Sequence, residues 1–360
     1  MTDYRAIPKV SLHDHLDGGL RPETIVELAD QIGHKLPRTN AKELNQWFLD
    51  SCDSGSLVRY LETFEHTIAV MQSAENLSRV GYEFAMDLAK DGVIYGEIRW
   101  APEQHLSNGL NLDEVVEAVE DGLTRARKEI RSRGGYLATG QLITAMRQND
   151  RAQEIAELAV RHRNKGVVGF DYAGPEEGFS PSRHAGAFAW LNKELMPVTL
   201  HAGEAAGKDS IRDAIVDGRT LRLGHGVRII EDVFVDADDE SKYGFGEVAT
   251  WVLERGIALE LSPSSNLQTG AIPGIDEPVM RDHPFDDLYR LGFNVTVNTD
   301  NRLMSGTSLS RELELLSKAF GYDLEDMELF QLNAANAAFI DMDIRTRIIE
   351  NITDWFARQQ

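Results

Sequence analysis

Cys52 is the chain's only cysteine, so no internal disulfide can form and a reducing compartment is the natural setting. No run of eighteen apolar residues occurs, and the N-terminus lacks the basic-then-apolar order of a secretory leader. Neither a membrane span nor a signal segment is expected, which makes a cytoplasmic location the expectation. Positive charge is scarce: 37 Lys and Arg stand against 59 Asp and Glu, a formal net charge of −22. Such a surface has no means of neutralising nucleic-acid phosphates or of docking on anionic lipid, and offers phosphorylated substrates no general attraction. Repeats, low-complexity segments and linkers are missing too, so residues 1–360 are expected to form a single domain. No glycine-rich phosphate loop follows the first strand-like run, which counts against an open doubly wound sheet.

What is present is a globular balance, 42% hydrophobic and 27% charged, with a recurring alternation. Eight short apolar runs read as strands: KVSLHDH (9–15), GVIYGEIRW (92–100), YLATGQLITAM (136–146), VVGFDYAG (167–174), PVTLHAGE (197–204), LRLGHGV (221–227), IALELSPSSN (257–266) and FNVTVNTD (293–300). Amphipathic helical patterns lie between them. Leu77, Val80, Phe84 and Leu88 share one face, as do Val116, Val119, Leu123, Ala126 and Ile130, and 151–163 carries Ile155, Leu158 and Ala159. SIRDAIVDG and GEVATWVLERG each end on a glycine suited to a helix C-terminus. Eight strands alternating with helices predict parallel pairing and a closed α/β barrel, (β/α)8, of the TIM type. Extra helices are expected over 20–74, after strand 1, and over 306–360, at the C-terminus. The acidic stretch 231–246 resembles a calcium loop only in composition, lacks the spaced ligands of an EF-hand, and is read as a solvated loop.

Catalytic groups of such barrels sit at the C-terminal ends of strands, and the unusual polar residues of this chain fall there. Strand 1 ends in His13 and His15, strand 4 runs into Asp171 and Gly174, and strand 5 ends in His201-Ala-Gly-Glu204. Strand 6 ends in Gly224-His225-Gly226 and strand 8 in Thr299-Asp300-Asn301. Side chains two apart on a strand point the same way, so His13 and His15 both face the barrel axis. A third imidazole from His201 and the carboxylate of Asp300 complete a three-nitrogen, one-oxygen set that suits one zinc ion with room for water. Glu204 and His225 are then free for acid–base work. His34, His66, His105, His162, His184 and His283 have no such placement and read as structural or surface residues.

These motifs, SLHDHLDGGLRPET, YGEIRWAP, GFDYAG, LHAGEAAG, RLGHGVRI, LSPSSNLQTGA and VNTDN, resemble in order and strand position those of the adenosine deaminase family, from about Lys9 to about Arg302. The resemblance implies hydrolytic deamination of adenosine, and of 2′-deoxyadenosine, to inosine and ammonia, in purine salvage. It implies zinc ligands at His13, His15, His201 and Asp300, with His15 also near the substrate. Glu204 would protonate purine N1, and His225 would orient and help deprotonate the attacking water. The backbone N–H of Gly174 would meet N3, Asp17 would hold the ribose hydroxyls, and Tyr60, Leu61 and Phe64 would form an apolar lid. The partner implied is a small purine nucleoside; the oligomeric state is left open.

One position departs from the pattern. The family has two aspartates where this chain reads Asp300-Asn301, and the second usually meets purine N7. The Asn301 amide can donate to that acceptor without first carrying an acid proton. Adenine deaminases, the nearest rivals, read His-Leu-Glu-Gly where this chain has His15-Leu16-Asp17-Gly18, so Asp17 favours a nucleoside over a free base. A deaminase of a modified adenosine nucleoside is a further alternative. AMP deaminase lacks support without a basic phosphate site. Binuclear amidohydrolases usually carry a strand-4 lysine that is absent from FDYAG. A non-catalytic metal or nucleoside-binding protein would leave Glu204 dispensable.

Overall fold

In the computed structural model, which describes residues 2–235 and 243–359, the strands are β1 (Lys9–His15), β2 (Val93–Trp100), β3 (Ala138–Met146), β4 (Val167–Ala173), β5 (Thr199–Ala202), β6 (Arg222–His225), β7 (Val233–Val235), β8 (Tyr243–Phe245), β9 (Ala258–Leu261) and β10 (Val295–Val297). Two parallel four-stranded sheets run β1-β2-β3-β4 and β10-β9-β6-β5. Single parallel bridges join them at both seams, Asp14 to Asp300 and Phe170 to Val198. At the first seam His15 N–H donates to Asp300 O and Asp300 N–H to His13 O, each at 2.9 Å. The result is the closed eight-stranded α/β barrel. Because Asp300 belongs to that seam, closing the barrel also brings it beside His13 and His15. β7 and β8 form an antiparallel hairpin outside the barrel; the rest of the acidic stretch, 236–242, lies outside the described residues.

The helices follow the apolar periodicity. Leu112–Ser132 opens with a capping box between Asn111 and Glu114 and buries Val116, Val119, Leu123, Ala126 and Ile130. It packs closely on Ala74–Lys90, because Gly122 has no side chain: a Cβ there would lie 2.0 Å from Ser78 O. The extra segment after β1 forms helices Pro22–Ile32, Ala41–Cys52, Leu57–Glu62 and Phe64–Val70, and the C-terminal segment forms Leu309–Phe320, Leu324–Ala337 and Met342–Ala357.

One local expectation needs correction. The seventh run is a strand only to Leu261; Pro263 then opens a short helix, Pro263–Gln268, because proline is well placed at the first turn of a helix. The two glycine stops also differ. Gly256 adopts φ +60° after helix Glu247–Glu254. Gly218 is not among the left-handed residues; its role is close approach, since a Cβ would lie 2.7 Å from Ala214 O and 2.9 Å from Leu200 Cδ2.

Candidate active site

The strand ends converge as the period-two pattern requires. His15 Nε2 lies 3.2 Å from His201 Nε2 and 3.3 Å from Asp300 Oδ1, and His13 Nε2 lies 3.3 Å from the same oxygen. Donors around one tetrahedral ion of the zinc type, each about 2.0–2.2 Å away, sit roughly 3.3–3.6 Å apart, so these separations match a shared metal. His225 joins the same cluster: one donor atom from each of His13, His201, His225 and Asp300 lies within 4.8 Å of the others. His15 is not one of those four, although it lies beside His201 and Asp300. His225 and Asp300 both hold left-handed backbone conformations, φ +65° and +57°, which cost energy in residues with a Cβ and mark positions fixed by their surroundings.

Two of the proposed ligand imidazoles are aimed by a carboxylate behind them. His13 Nδ1 is 3.0 Å from Glu260 Oε2, and His201 Nδ1 is 3.1 Å from Asp171 Oδ1. Nδ1–H donation to these carboxylates leaves the Nε2 lone pairs facing the cluster, as a metal site requires. Although burial opposes it, Arg99 and Arg222 hold the Glu260 carboxyl well below the usual carboxylate range. Ser265 Oγ donates to Asp300 Oδ2 at 2.6 Å. The loop bearing Glu204 hangs on Glu176, whose carboxylate accepts the backbone N–H groups of Gly203, Glu204, Ala205 and Ala206 at 2.6, 3.1, 2.6 and 2.9 Å.

Above the cluster lies a cavity of about 340 Å³ lined by His15, Asp17, Gly174, His201, Glu204, His225, Asp300 and Asn301, with Tyr60, Leu61, Phe64 and Ile68 on its apolar side. Buried polar atoms are normally hydrogen-bonded. Here Asp17 Oδ1, Gln148 Oε1, Glu204 Oε1 and Asn301 Oδ1, all on residues lining the cavity, have no partner among the described residues. Nor does His13 Nε2 below them. Burial, then the negative charges of Asp300 and Glu176, push the Glu204 carboxyl well above its ordinary range. Burial pushes Asp17 up to about 7. The glycines of the first motif make room: a Cβ on Gly18 would lie 1.9 Å from Asn301 Oδ1. Gly174 adopts φ +108° at the cavity wall.

Every residue singled out for metal, catalysis or substrate is thus in one place. Others went unremarked in the sequence: Glu260, Glu176, Asn266 and Arg99. Glu97, Arg99, Arg222 and Glu260 had a visible signal, charge inside apolar strand runs. Of the histidines read as structural, His105 Nδ1 faces Met71 O at 3.1 Å, His162 faces Asp113, His184 faces Tyr172, and His34 pairs with His66. His283 is different, reaching the site through Asn266.

Comparison with known proteins agrees with this geometry. The family model described as adenosine deaminase matches residues 8–355. Adenosine deaminase 1 of Streptomyces coelicolor is 54% identical over 97% of this chain and 86% of its own length. The adenosine deaminase of Mycobacterium ulcerans is 50% identical over 97% and 94%. The crystal structure of an amidohydrolase from Burkholderia ambifaria, with bound Zn, superposes with a TM-score of 0.81 at 22% identity, covering 99% of this chain and 96% of that one, and so shares the fold.

Proposed function

The chain belongs to the adenosine deaminase family, and from that premise we propose that it hydrolyses adenosine and 2′-deoxyadenosine at C6, giving inosine (or its deoxy form) and ammonia, with one zinc ion per chain. We further propose that residues 1–360 act as one catalytic domain, in the cytoplasm, in purine salvage. Among the described residues no helix is long and apolar enough to cross a membrane. The observation that supports the reading best is the ring of buried, unpaired polar atoms around one cavity, directly above a cluster of metal-capable donors.

His13, His15, His201 and Asp300 would hold the zinc, since their spacing matches a tetrahedral ion and Glu260 and Asp171 fix two of the rings. Zinc there supplies Lewis acidity, which makes water a competent nucleophile near neutral pH. Attack at C6 drives electron density onto N1, where Glu204 donates a proton. Its burial favours the protonated form of that carboxyl, and Glu176 keeps its loop in place. His225 Nε2, 3.5 Å from Glu204 Oε2, faces the same reacting centre. The Gly174 N–H meets N3, the Asn301 amide N7, and Asp17 the ribose hydroxyls. Tyr60, Leu61 and Phe64 cover the base and exclude water. Of the two protons of the attacking water, one passes to the exocyclic amino group, which leaves as ammonia, and the other restores the Glu204 acid, while the oxygen stays on C6.

Purified protein incubated separately with adenosine, 2′-deoxyadenosine and adenine, followed by loss of aminopurine absorbance, tests the reading. Both nucleosides should turn over with higher kcat/KM than adenine, and Asp17→Ala should raise KM for adenosine more than for adenine, because a site built for a hydroxyl discriminates against ligands lacking it. Preferred turnover of free adenine, or of neither class, would overturn it.

A further inference from the structure

His283 lies far from the strand ends in sequence, yet it is buried, 2% exposed, and connected to His225 by a chain of hydrogen bonds whose directions are fixed. A backbone N–H can only donate. Phe285 N–H donates to His283 Nδ1 at 3.0 Å, so in the neutral ring Nε2 carries the proton. Burial holds that ring neutral, pushing its pKa down to about 3. His283 Nε2 lies 3.1 Å from Asn266 Oδ1, and Ser262 N–H also donates to that oxygen at 3.3 Å. Two donors on one atom identify it as the amide oxygen, which turns the NH2 end of Asn266 toward His225 Nδ1, 2.9 Å away. Nδ1 of His225 must then accept, and its proton resides on Nε2.

We propose that His283 and Asn266 are positioning residues that lock His225 as the Nε2–H tautomer, so that His225 presents a hydrogen-bond donor to the reacting centre and is kept from ligating the metal. Distance alone places His225 in the tightest donor cluster. With Nδ1 occupied by an amide donor and Nε2 protonated, it has no lone pair to offer, and the fourth ligand position falls to His15, whose Nε2 faces His201 and Asp300. Nε2 of His225 lies 3.5 Å from Glu204 Oε2 instead, so in this state His225 can orient the attacking water but cannot take its proton, which departs from the deprotonating role that the family resemblance implies. The kinetic consequence rests on the deaminase reading; the tautomer does not.

The test is long-range proton–nitrogen NMR of protein carrying ¹⁵N-labelled histidine, recorded with and without zinc, with His225 assigned by its loss in His225→Gln. Wild type should show His225 with a protonated Nε2 and an unprotonated Nδ1 in both samples. Asn266→Asp, nearly isosteric, places an acceptor opposite Nδ1 and should move a proton there. Neighbouring residues acting through a reactive side chain typically contribute on the order of 10–100-fold. Asn266→Asp and His283→Leu should therefore lower kcat on adenosine by about that factor with KM little changed. His283→Gln, which keeps a donor toward Asn266, should restore most of the rate. A protonated Nδ1 on His225 in wild type overturns the proposal even if the protein deaminates adenosine. The expected tautomer in a protein that does not act on adenosine leaves the lock standing and removes the substrate assignment. If His283→Leu does not fold, the wild-type spectra and Asn266→Asp still decide.

Discussion

Two layers of the same barrel bury polar side chains to opposite effect. In the lower layer Glu260 accepts hydrogen bonds from Thr199, Arg99, Arg222 and His13, and Glu97 accepts from Tyr95, Arg222 and the backbone of Phe339. Both carboxylates are saturated and fully buried. In the upper layer, on the loops that follow β1, β5 and β10, Asp17, Glu204 and Asn301 are also buried but each keeps an unpaired atom. Buried charge is tolerated when its partners are present, and buried polar groups without partners are costly. The lower layer therefore reads as support and the upper layer as positions that a metal ion and a nucleoside complete. Substitutions should separate the two: upper-layer changes should remove activity and spare stability, and lower-layer changes should lower stability.

The largest effect is expected from Glu204→Gln. The variant keeps shape and one hydrogen bond but has no transferable acid proton, so kcat on adenosine should fall by about 10²–10⁴. Zinc content, read by elemental analysis, and the urea unfolding midpoint should stay near wild type. Near-normal turnover with zinc retained would remove Glu204 from its role.

Glu260→Gln attacks the other layer. It leaves Arg99 and Arg222 facing a neutral amide in a dry interior, and loss of one partner of a buried pair typically costs about 3–5 kcal/mol. Urea denaturation of the metal-free protein should show that loss. An unfolding midpoint unchanged in Glu260→Gln would mean that the lower layer is not the support.

The support also responds to pH. His105, away from the site, is buried with its pKa pushed down to about 4 by burial, while the unfolded residue titrates near 6.5. Between those values the unfolded chain binds the extra proton, so the stability His105 contributes is complete above pH 6.5 and is lost as pH falls toward 4. The 2.5-unit difference is equivalent to about 3 kcal/mol at most. Urea midpoints at pH 7 and pH 4.5 should draw together in His105→Gln relative to wild type; an identical drop in both proteins would exclude His105 as a source.

The smallest effect belongs to Asn301. If its amide donates to N7, wild type should favour adenosine over 7-deaza-adenosine, and Asn301→Ala should lose most of that preference, a coupling of about 0.5–1.5 kcal/mol in kcat/KM. Unaltered discrimination in the variant would leave Asn301 as a prop for the Asp300 loop.

Much of this was legible in the sequence because strand geometry has period two and polar residues interrupt apolar runs. His13 and His15 had to share a face, and His201, His225 and Asp300 closed their own runs. The seventh run was carried too far: the polar SPSSN breaks from the apolar IALEL before it, and Pro263 starts a helix that carries Ser265 and Asn266 to the site. The supporting residues showed only as charges inside apolar runs, and their pairings were not legible. Glu260 meets His13 across 247 positions and Arg222 meets Glu97 across 125, and no local pattern specifies such pairings. His283 sat in an ordinary loop motif; its meaning appears only once Asn266 and His225 are beside it.

The central claim is that the unpaired atoms of the upper layer exist for zinc and a purine nucleoside. It is tested most directly by measuring metal content and adenosine turnover on the same samples, from chelator-stripped protein through stepwise zinc addition. The account predicts that adenosine turnover rises in proportion to bound zinc and saturates at one ion per chain, with His13→Ala both unable to hold the ion and inactive. Full turnover in protein carrying no transition metal, or one zinc per chain with no turnover of adenosine, would contradict it.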